Sequence, residues 1–108
     1  MALSNSAWLV VGEAAERYRS LAKKARNPHI AALLRMAANV LEQAAWELMN
    51  NKVTFSTMEN LEVMENLLKI KRLPVSPLRQ ARTMMNKLLM NRLEELSSLT
   101  GDAIGLPV

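Results

Sequence analysis

The sequence predicts an all-α protein, a small antiparallel helical bundle of about four helices. Good helix formers such as Ala, Leu, Met, Glu and Lys are frequent, and aromatic residues make up only 4% of the 108 residues. Apolar residues recur at helical spacing, and no stretch alternates as a strand would. Prolines and capping residues divide the chain into four stretches of similar length. Short connections between such stretches favour antiparallel neighbours.

The first two helices are separated by Asn27 and Pro28. Asn is a good N-cap and Pro suits the first helical position, so this pair ends one helix and begins the next. We expect helix one from about Ser6 to Ala25 and helix two from Pro28 to about Asn50. Helix two carries a continuous apolar stripe that includes Leu34, Leu41 and Leu48.

A loop from Asn50 to Phe55 should precede helix three. Ser56-Thr57-Met58-Glu59 reads as a capping box at its start. Pro74 ends this helix, and Ser76-Pro77 supplies a cap and a first-turn proline for helix four, which we expect to reach about Ser98. Residues 99–108 contain Gly101, Gly105 and Pro107 without periodicity. We therefore expect a bundle domain over 1–98 and a flexible tail over 99–108.

Composition excludes several classes of protein. The chain has no cysteine, so disulfides and thiolate metal sites are excluded. No apolar run approaches the ~20 residues of a membrane span, and no positive charge precedes the apolar cluster Trp8–Val11 as it would in a signal peptide. We expect a soluble, cytoplasmic protein that does not engage a membrane.

Residues suited to catalysis are scarce. His29 is the only histidine, and a single His in the first turn of a helix is usually a surface residue. Glu59, Glu62 and Glu65 share one helical edge near the start of helix three, where carboxylates also match the helix dipole. No glycine-rich loop is present to hold phosphate. We expect no enzyme activity, no cofactor, no metal and no small-molecule substrate.

The net charge of +4 is unevenly distributed. Two basic blocks flank the stretch from Glu42 to Glu65, where Lys52 is the only base. Together the blocks could form a positive face for nucleic acid, and they suit an acidic protein equally well. Alternatively, cations simply favour helix C-termini. The candidate nucleic-acid contacts are Arg17, Arg19, Lys23, Lys24, Arg26, Lys69, Lys71, Arg72, Arg79 and Arg82.

The segment Leu73–Pro77 superficially resembles the turn of a helix-turn-helix unit. That unit needs a small residue in its first helix and a glycine in its turn, where this chain has Ile70 and Pro74. It also needs an apolar anchor where Gln80 stands. A positive face here would therefore bind nucleic acid with little sequence specificity.

Trp46 is the most informative residue for an interaction surface. At ~100° per residue it projects almost opposite the apolar stripe of helix two. A large aromatic residue among polar groups is typical of an interface hot spot, although another helix or the tail could cover it. Its polar neighbours on the helix are Arg35, Asn39, Glu42 and Gln43.

Helix four has an apolar arc of roughly half its circumference, wider than one neighbour requires. Met84 and Met85 lie in the arc and Met90 points away from it. Methionine suits adaptable binding surfaces, although a central helix packed on two neighbours also explains such an arc. The sequence thus predicts a non-enzymatic regulator, adaptor or inhibitor that docks on a protein, as a homodimer paired through Trp46 and these methionines. A basic nucleic-acid-binding protein is the alternative.

Overall fold

The structure, a computed structural model, describes the backbone of residues 2–105 and the side chains of residues 6–98. Within this part of the chain the backbone forms four α-helices and no strand. They are α1 (Ala2–Lys24), α2 (Pro28–Met49), α3 (Phe55–Ile70) and α4 (Ser76–Gly105). The predicted all-α fold of four helices is confirmed. None of the described helices is long and apolar enough to cross a membrane.

The junction between α1 and α2 is built as its sequence predicts. The side chain of Asn27 accepts hydrogen bonds from the backbone amides of His29 at 2.8 Å and Ile30 at 3.3 Å, with Pro28 in the first turn. The short connection reverses the chain, so α1 and α2 form an antiparallel hairpin that is the most extensive helix pair of the fold.

Small residues line the contact between α1 and α2 and allow the two helices to approach closely. Ala15, Ala37, Ala38 and Ala44 are all completely buried. The first part of α4 packs on this pair, while α1 and α3 do not meet closely within the described chain. One continuous core results. Its largest buried side chains are Tyr18, Leu41, Leu61, Leu68, Leu78 and Met85.

The start of α3 differs from the prediction. Thr54, not Ser56, is the N-cap: its backbone is extended and its hydroxyl accepts a hydrogen bond from the amide of Thr57 at 3.2 Å. The helix begins at Phe55, so Ser56 is already helical and cannot serve as the cap. The predicted capping box from Ser56 to Glu59 is therefore wrong: the cap lies two residues earlier, at Thr54, which carries an equivalent hydroxyl.

Helices α2 and α3 both end in a Schellman motif with a left-handed residue after the C-cap. Asn51 has φ 55° and Arg72 has φ 58°. In the second motif the amide of Leu73 donates to the carbonyl of Leu68 at 2.9 Å, and the amide of Arg72 donates to Lys69 at 3.0 Å. Pro74 follows and prevents α3 from continuing.

Helices α3 and α4 run antiparallel, but α4 is much longer. Arg79 of α4 contacts Glu65 of α3, and further along α4 the guanidinium of Arg92 donates to the carbonyl of Asn51 at 2.5 Å, just before α3 begins. Residues 93–105, here called the α4 extension, therefore continue beyond the α3 partner. Helical backbone reaches Gly105, past the predicted end at Ser98. The side chains of 99–105 and the whole of 106–108 lie outside the described residues.

The extension makes the molecule long and flat. Its Cα extents are 61 × 29 × 16 Å, and its radius of gyration of 16.7 Å exceeds the about 13 Å typical of a compact domain of this length. At the opposite end, the α1–α2 hairpin projects past the α3–α4 loop, since Tyr18 is the α1 residue that contacts Pro74 of that loop. The four helices are thus layered together only in the middle of the molecule.

Candidate functional site

Trp46 lies on the outer face of α2, opposite the buried stripe of that helix. Its side chain is 48% exposed, and Met49, one turn later, is 50% exposed. The ammonium group of Lys52 lies 5.4 Å from the centre of the Trp46 ring, within cation–π range. We call Trp46, Met49, Asn39, Glu42 and Gln43 the Trp46 surface.

The polar members of this surface are held in place. Arg19 of α1 binds the Glu42 carboxylate at 2.5 Å, the Asn39 side-chain oxygen at 3.1 Å and the Glu16 carboxylate at 3.0 Å. The hydrogen bond from Arg19 lowers the pKa of the Glu42 carboxyl, although partial burial opposes this shift. Arg19 therefore orders the edge of the Trp46 surface, and its charge is paired with Glu16 and Glu42.

Arg35 lies on the same face of α2 as Trp46 but far from it along the helix axis. Eleven residues separate the two, which is about 16 Å along a helix. Arg35 lies nearer the α1–α2 turn, among other exposed cations. Arg35 and Trp46 therefore lie on one face of α2 about three turns apart.

A buried carboxylate, not anticipated from the sequence, lies on the inner side of the same helix. Glu47 is 2% exposed, and its oxygens accept hydrogen bonds from Gln43 at 3.0 Å and from the Thr57 hydroxyl at 2.5 Å. The amide and hydroxyl of Thr54 also donate to it. Every donor comes from α2 or the start of α3, so Glu47 joins these helices. The only sequence signal is the pair of threonines, Thr54 and Thr57, after the loop.

The methionines of α4 fall in three different environments. Met85 is completely buried, because it continues the inward stripe of Leu78 and Ala81. Met84 is half-buried against the core, and Met90 is 50% exposed. The prediction that Met85 contributes to a binding surface is wrong for the folded chain, since the core of α1 to α3 already covers it.

The two basic blocks of the sequence converge in space. Tyr18 donates a hydrogen bond to the carbonyl of Pro74, which brings the loop after α3 beside the C-terminal part of α1. Cations from both blocks thus lie towards the same end of the molecule, which we call the basic end. Its exposed cations are Arg17, Lys23, Lys24, Arg26, Arg35, Lys69, Lys71 and Arg72.

Besides Arg19, two more of the predicted nucleic-acid contacts form ion pairs within the chain. Arg79 lies 2.6 Å from one oxygen of Glu65 and Arg82 lies 3.3 Å from the other. Glu65 is buried between α3 and α4, and both arginines pair with it while their own side chains stay partly exposed. They belong to the α3–α4 interface and not to the basic end.

The residues considered for catalysis are dispersed. His29 is exposed in the first turn of α2. Glu59 and Glu62 border an open depression between α3 and α4, whereas Glu65 is buried with Arg79 and Arg82. Over the described side chains, no group of three or more His, Cys, Asp or Glu residues is placed to hold a metal.

Comparison with known proteins found no matching family model, no matching curated protein and no matching solved structure.

Proposed function

We propose that this chain is a non-enzymatic interaction module that docks on a protein partner through the Trp46 surface. The observation that carries this proposal is the 48% exposure of Trp46 on a helix whose opposite face is fully used by the core. Hot spots of protein interfaces are enriched in Trp and are surrounded by polar groups that exclude water. About half of the ~150–250 Å² of a tryptophan side chain is left for a partner to cover, which is worth about 2–3 kcal/mol before ordering costs.

The order of the polar rim supports the same function. Asn39 and Glu42 are anchored by Arg19, and Gln43 is anchored by Glu47. Because these side chains are already ordered, binding of a partner would cost less side-chain conformational entropy. Such preorganisation distinguishes the Trp46 surface from a solvated helix face with mobile side chains.

The test uses site-specific photocrosslinking in the native host. A photoreactive phenylalanine at Met49 lies one turn from Trp46, and the matched control places it at Val63, an equally exposed position (48%) on α3. We expect a defined protein adduct at position 49 that disappears in the Trp46→Ala background. The helical circular dichroism of that variant should stay unchanged. Equal labelling from both positions, or an adduct that survives Trp46→Ala, would overturn the proposal.

A second candidate function is binding of nucleic acid by the basic end. The convergence of two distant basic blocks favours it, because neighbouring cations can neutralise successive phosphates. No carboxylate occurs in the sequence from Arg17 to Leu41 or from Asn66 to Leu93. With little base-specific chemistry available, such binding would be independent of sequence.

Salt dependence tests this candidate. Binding of a random-sequence DNA duplex, followed by fluorescence anisotropy, should weaken steeply between 50 and 200 mM salt, as expected for ~6–10 phosphate contacts. The variant Lys23→Glu/Lys71→Glu should flatten this dependence. Its control, Lys52→Glu/Lys87→Glu, makes the same charge change away from the basic end. Equal effects of the two pairs, or tight binding to one defined site, would contradict the candidate function.

A further inference from the structure

The α4 extension exposes apolar side chains in its described part. Leu93 is 49% exposed and Leu96 is 57% exposed, and Met90 just before them is 50% exposed. Every described residue from 93 to 98 is exposed. A single helix of this length gains too little from its own hydrogen bonds to be stable in water, so it requires tertiary packing. Over residues 93–98 its own chain leaves Leu93 and Leu96 about half exposed.

The extension is also acidic. Glu94 and Glu95 are exposed, Asp102 follows in the sequence, and no Lys or Arg occurs after Arg92. It therefore combines leucines at helical spacing with an excess of carboxylates. A matching surface would be apolar with a positive border.

The basic end has these properties. On the α1–α2 hairpin, Leu21 is 40% exposed and Met36 is 49% exposed, and Ile70 at the end of α3 is 74% exposed. Exposed cations of the basic end lie on the same elements, and the carboxylates Glu16 and Glu42 are already bound by Arg19. This end is thus complementary to the α4 extension in both charge and polarity.

The two complementary regions lie at opposite ends of a molecule 61 Å long, so one chain cannot join them. We propose that two copies of this chain pair side by side and antiparallel, with the α4 extension of each lying on the α1–α2 hairpin of the other. The extension is about 20 Å long, and the hairpin projects about 10–15 Å past Tyr18. A twofold axis places the extension of each copy on the hairpin of the other at the same time. The dimer is therefore closed, with the same contact made twice.

The dimer does not use the Trp46 surface. We propose it in place of the predicted pairing through Trp46 and the α4 methionines. That pairing was inferred from the wide apolar arc of helix four, and Met85, a member of the arc, is buried in the core. The dimer and the proposed docking function use different surfaces, so either can be disproved without affecting the other.

Sedimentation velocity over a concentration series tests the proposal. The wild-type chain should dimerise at micromolar concentration. The variants Leu93→Ser/Leu96→Ser and Glu94→Lys/Glu95→Lys should each weaken dimerisation at least tenfold, while Trp46→Ala leaves it unchanged. Circular dichroism verifies that each variant retains the fold. A wild-type monomer at high micromolar concentration would overturn the proposal, as would a folded dimer indifferent to both changes in the extension.

A charge exchange makes the test specific to the proposed pairing. The chain Glu94→Lys/Glu95→Lys and the chain Lys23→Glu/Lys24→Glu should each self-associate poorly, because each sets like charges against each other. Mixed together, they should form a heterodimer in which both contacts are again complementary. The matched control replaces the second chain by Lys52→Glu/Lys87→Glu. Failure of the first mixture to associate, or equal association in the control mixture, would overturn the antiparallel arrangement.

Discussion

The phenol of Tyr18 on α1 donates a hydrogen bond to the backbone carbonyl of Pro74 in the loop between α3 and α4. The two residues are 56 positions apart, and the Tyr18 side chain is 1% exposed. Removing the hydroxyl leaves the carbonyl without this donor. We expect Tyr18→Phe to lower the free energy of unfolding by about 1–2 kcal/mol, measured by urea denaturation. An unchanged midpoint would mean that water replaces the phenol at no cost.

The same phenol should make the fold sensitive to alkaline pH. Burial raises the pKa of Tyr18 to about 12, although the charge of Arg17 opposes the shift. In the unfolded chain the pKa is about 10, so between pH 10 and 12 only the unfolded state loses the proton. Stability contributed by Tyr18 is complete below pH 10 and falls by up to about 3 kcal/mol as pH rises towards 12. Tyr18→Phe should lack this component when the two chains are denatured in parallel.

Glu47 should contribute stability above acidic pH. Burial alone would raise the pKa of its carboxyl, but hydrogen bonds from Gln43, Thr57 and Thr54 outweigh burial and lower it. Its contribution is therefore present above the unfolded pKa of about 4.3 and is lost as pH falls through the folded value. Glu47→Gln should cost about 1–3 kcal/mol at pH 7 and flatten the acid side of the stability profile. The exposed Glu59→Gln is the control, and equal losses in both variants would contradict this role.

Arg72 occupies a left-handed conformation that suits glycine. Its φ of 58° costs a residue with a Cβ about 1–2 kcal/mol. Glycine avoids this cost, but it loses more conformational entropy on folding, which offsets part of the gain. We expect Arg72→Gly to raise the free energy of unfolding by about 0.5–1 kcal/mol. Asn51→Gly should gain less, because Asn tolerates this conformation better. A loss of stability in Arg72→Gly would show that the arginine side chain makes a stabilising contact.

Removal of residues 99–108 should separate folding from association. The described side chains of residues 93–98 are exposed and add little to the core, so we expect removal of the residues after them to cost little stability. We expect the melting temperature of the dilute, monomeric protein to change by no more than a few degrees. Dimerisation should weaken, because the truncation shortens the α4 extension. A large drop in melting temperature would mean that Leu99, Ile104 or Leu106 packs into the core of its own chain.

Local patterns were enough to predict the four helices and the projection of Trp46 opposite the apolar stripe of helix two. The signals that place the helices are apolar spacing, Asn27 before Pro28, and Pro74 after α3. Each acts within a few residues, so it can be recognised in the sequence without the tertiary structure. Whether another element covers Trp46 was left open by the sequence, and the tertiary structure leaves its side chain 48% exposed. The cap of α3 was misplaced by two residues, since Thr54 and Ser56 carry equivalent hydroxyls and only the path of the loop distinguishes them.

By itself, then, the sequence determined the helical class, the number of helices and an excess of positive charge in two blocks. Only the tertiary structure decided that the blocks meet, that Arg19, Arg79 and Arg82 are bound to carboxylates, and that Met85 lies in the core. These outcomes depend on how far each helix slides along its neighbour. That register is set by close packing between residues tens of positions apart, and helical periodicity carries no information about it.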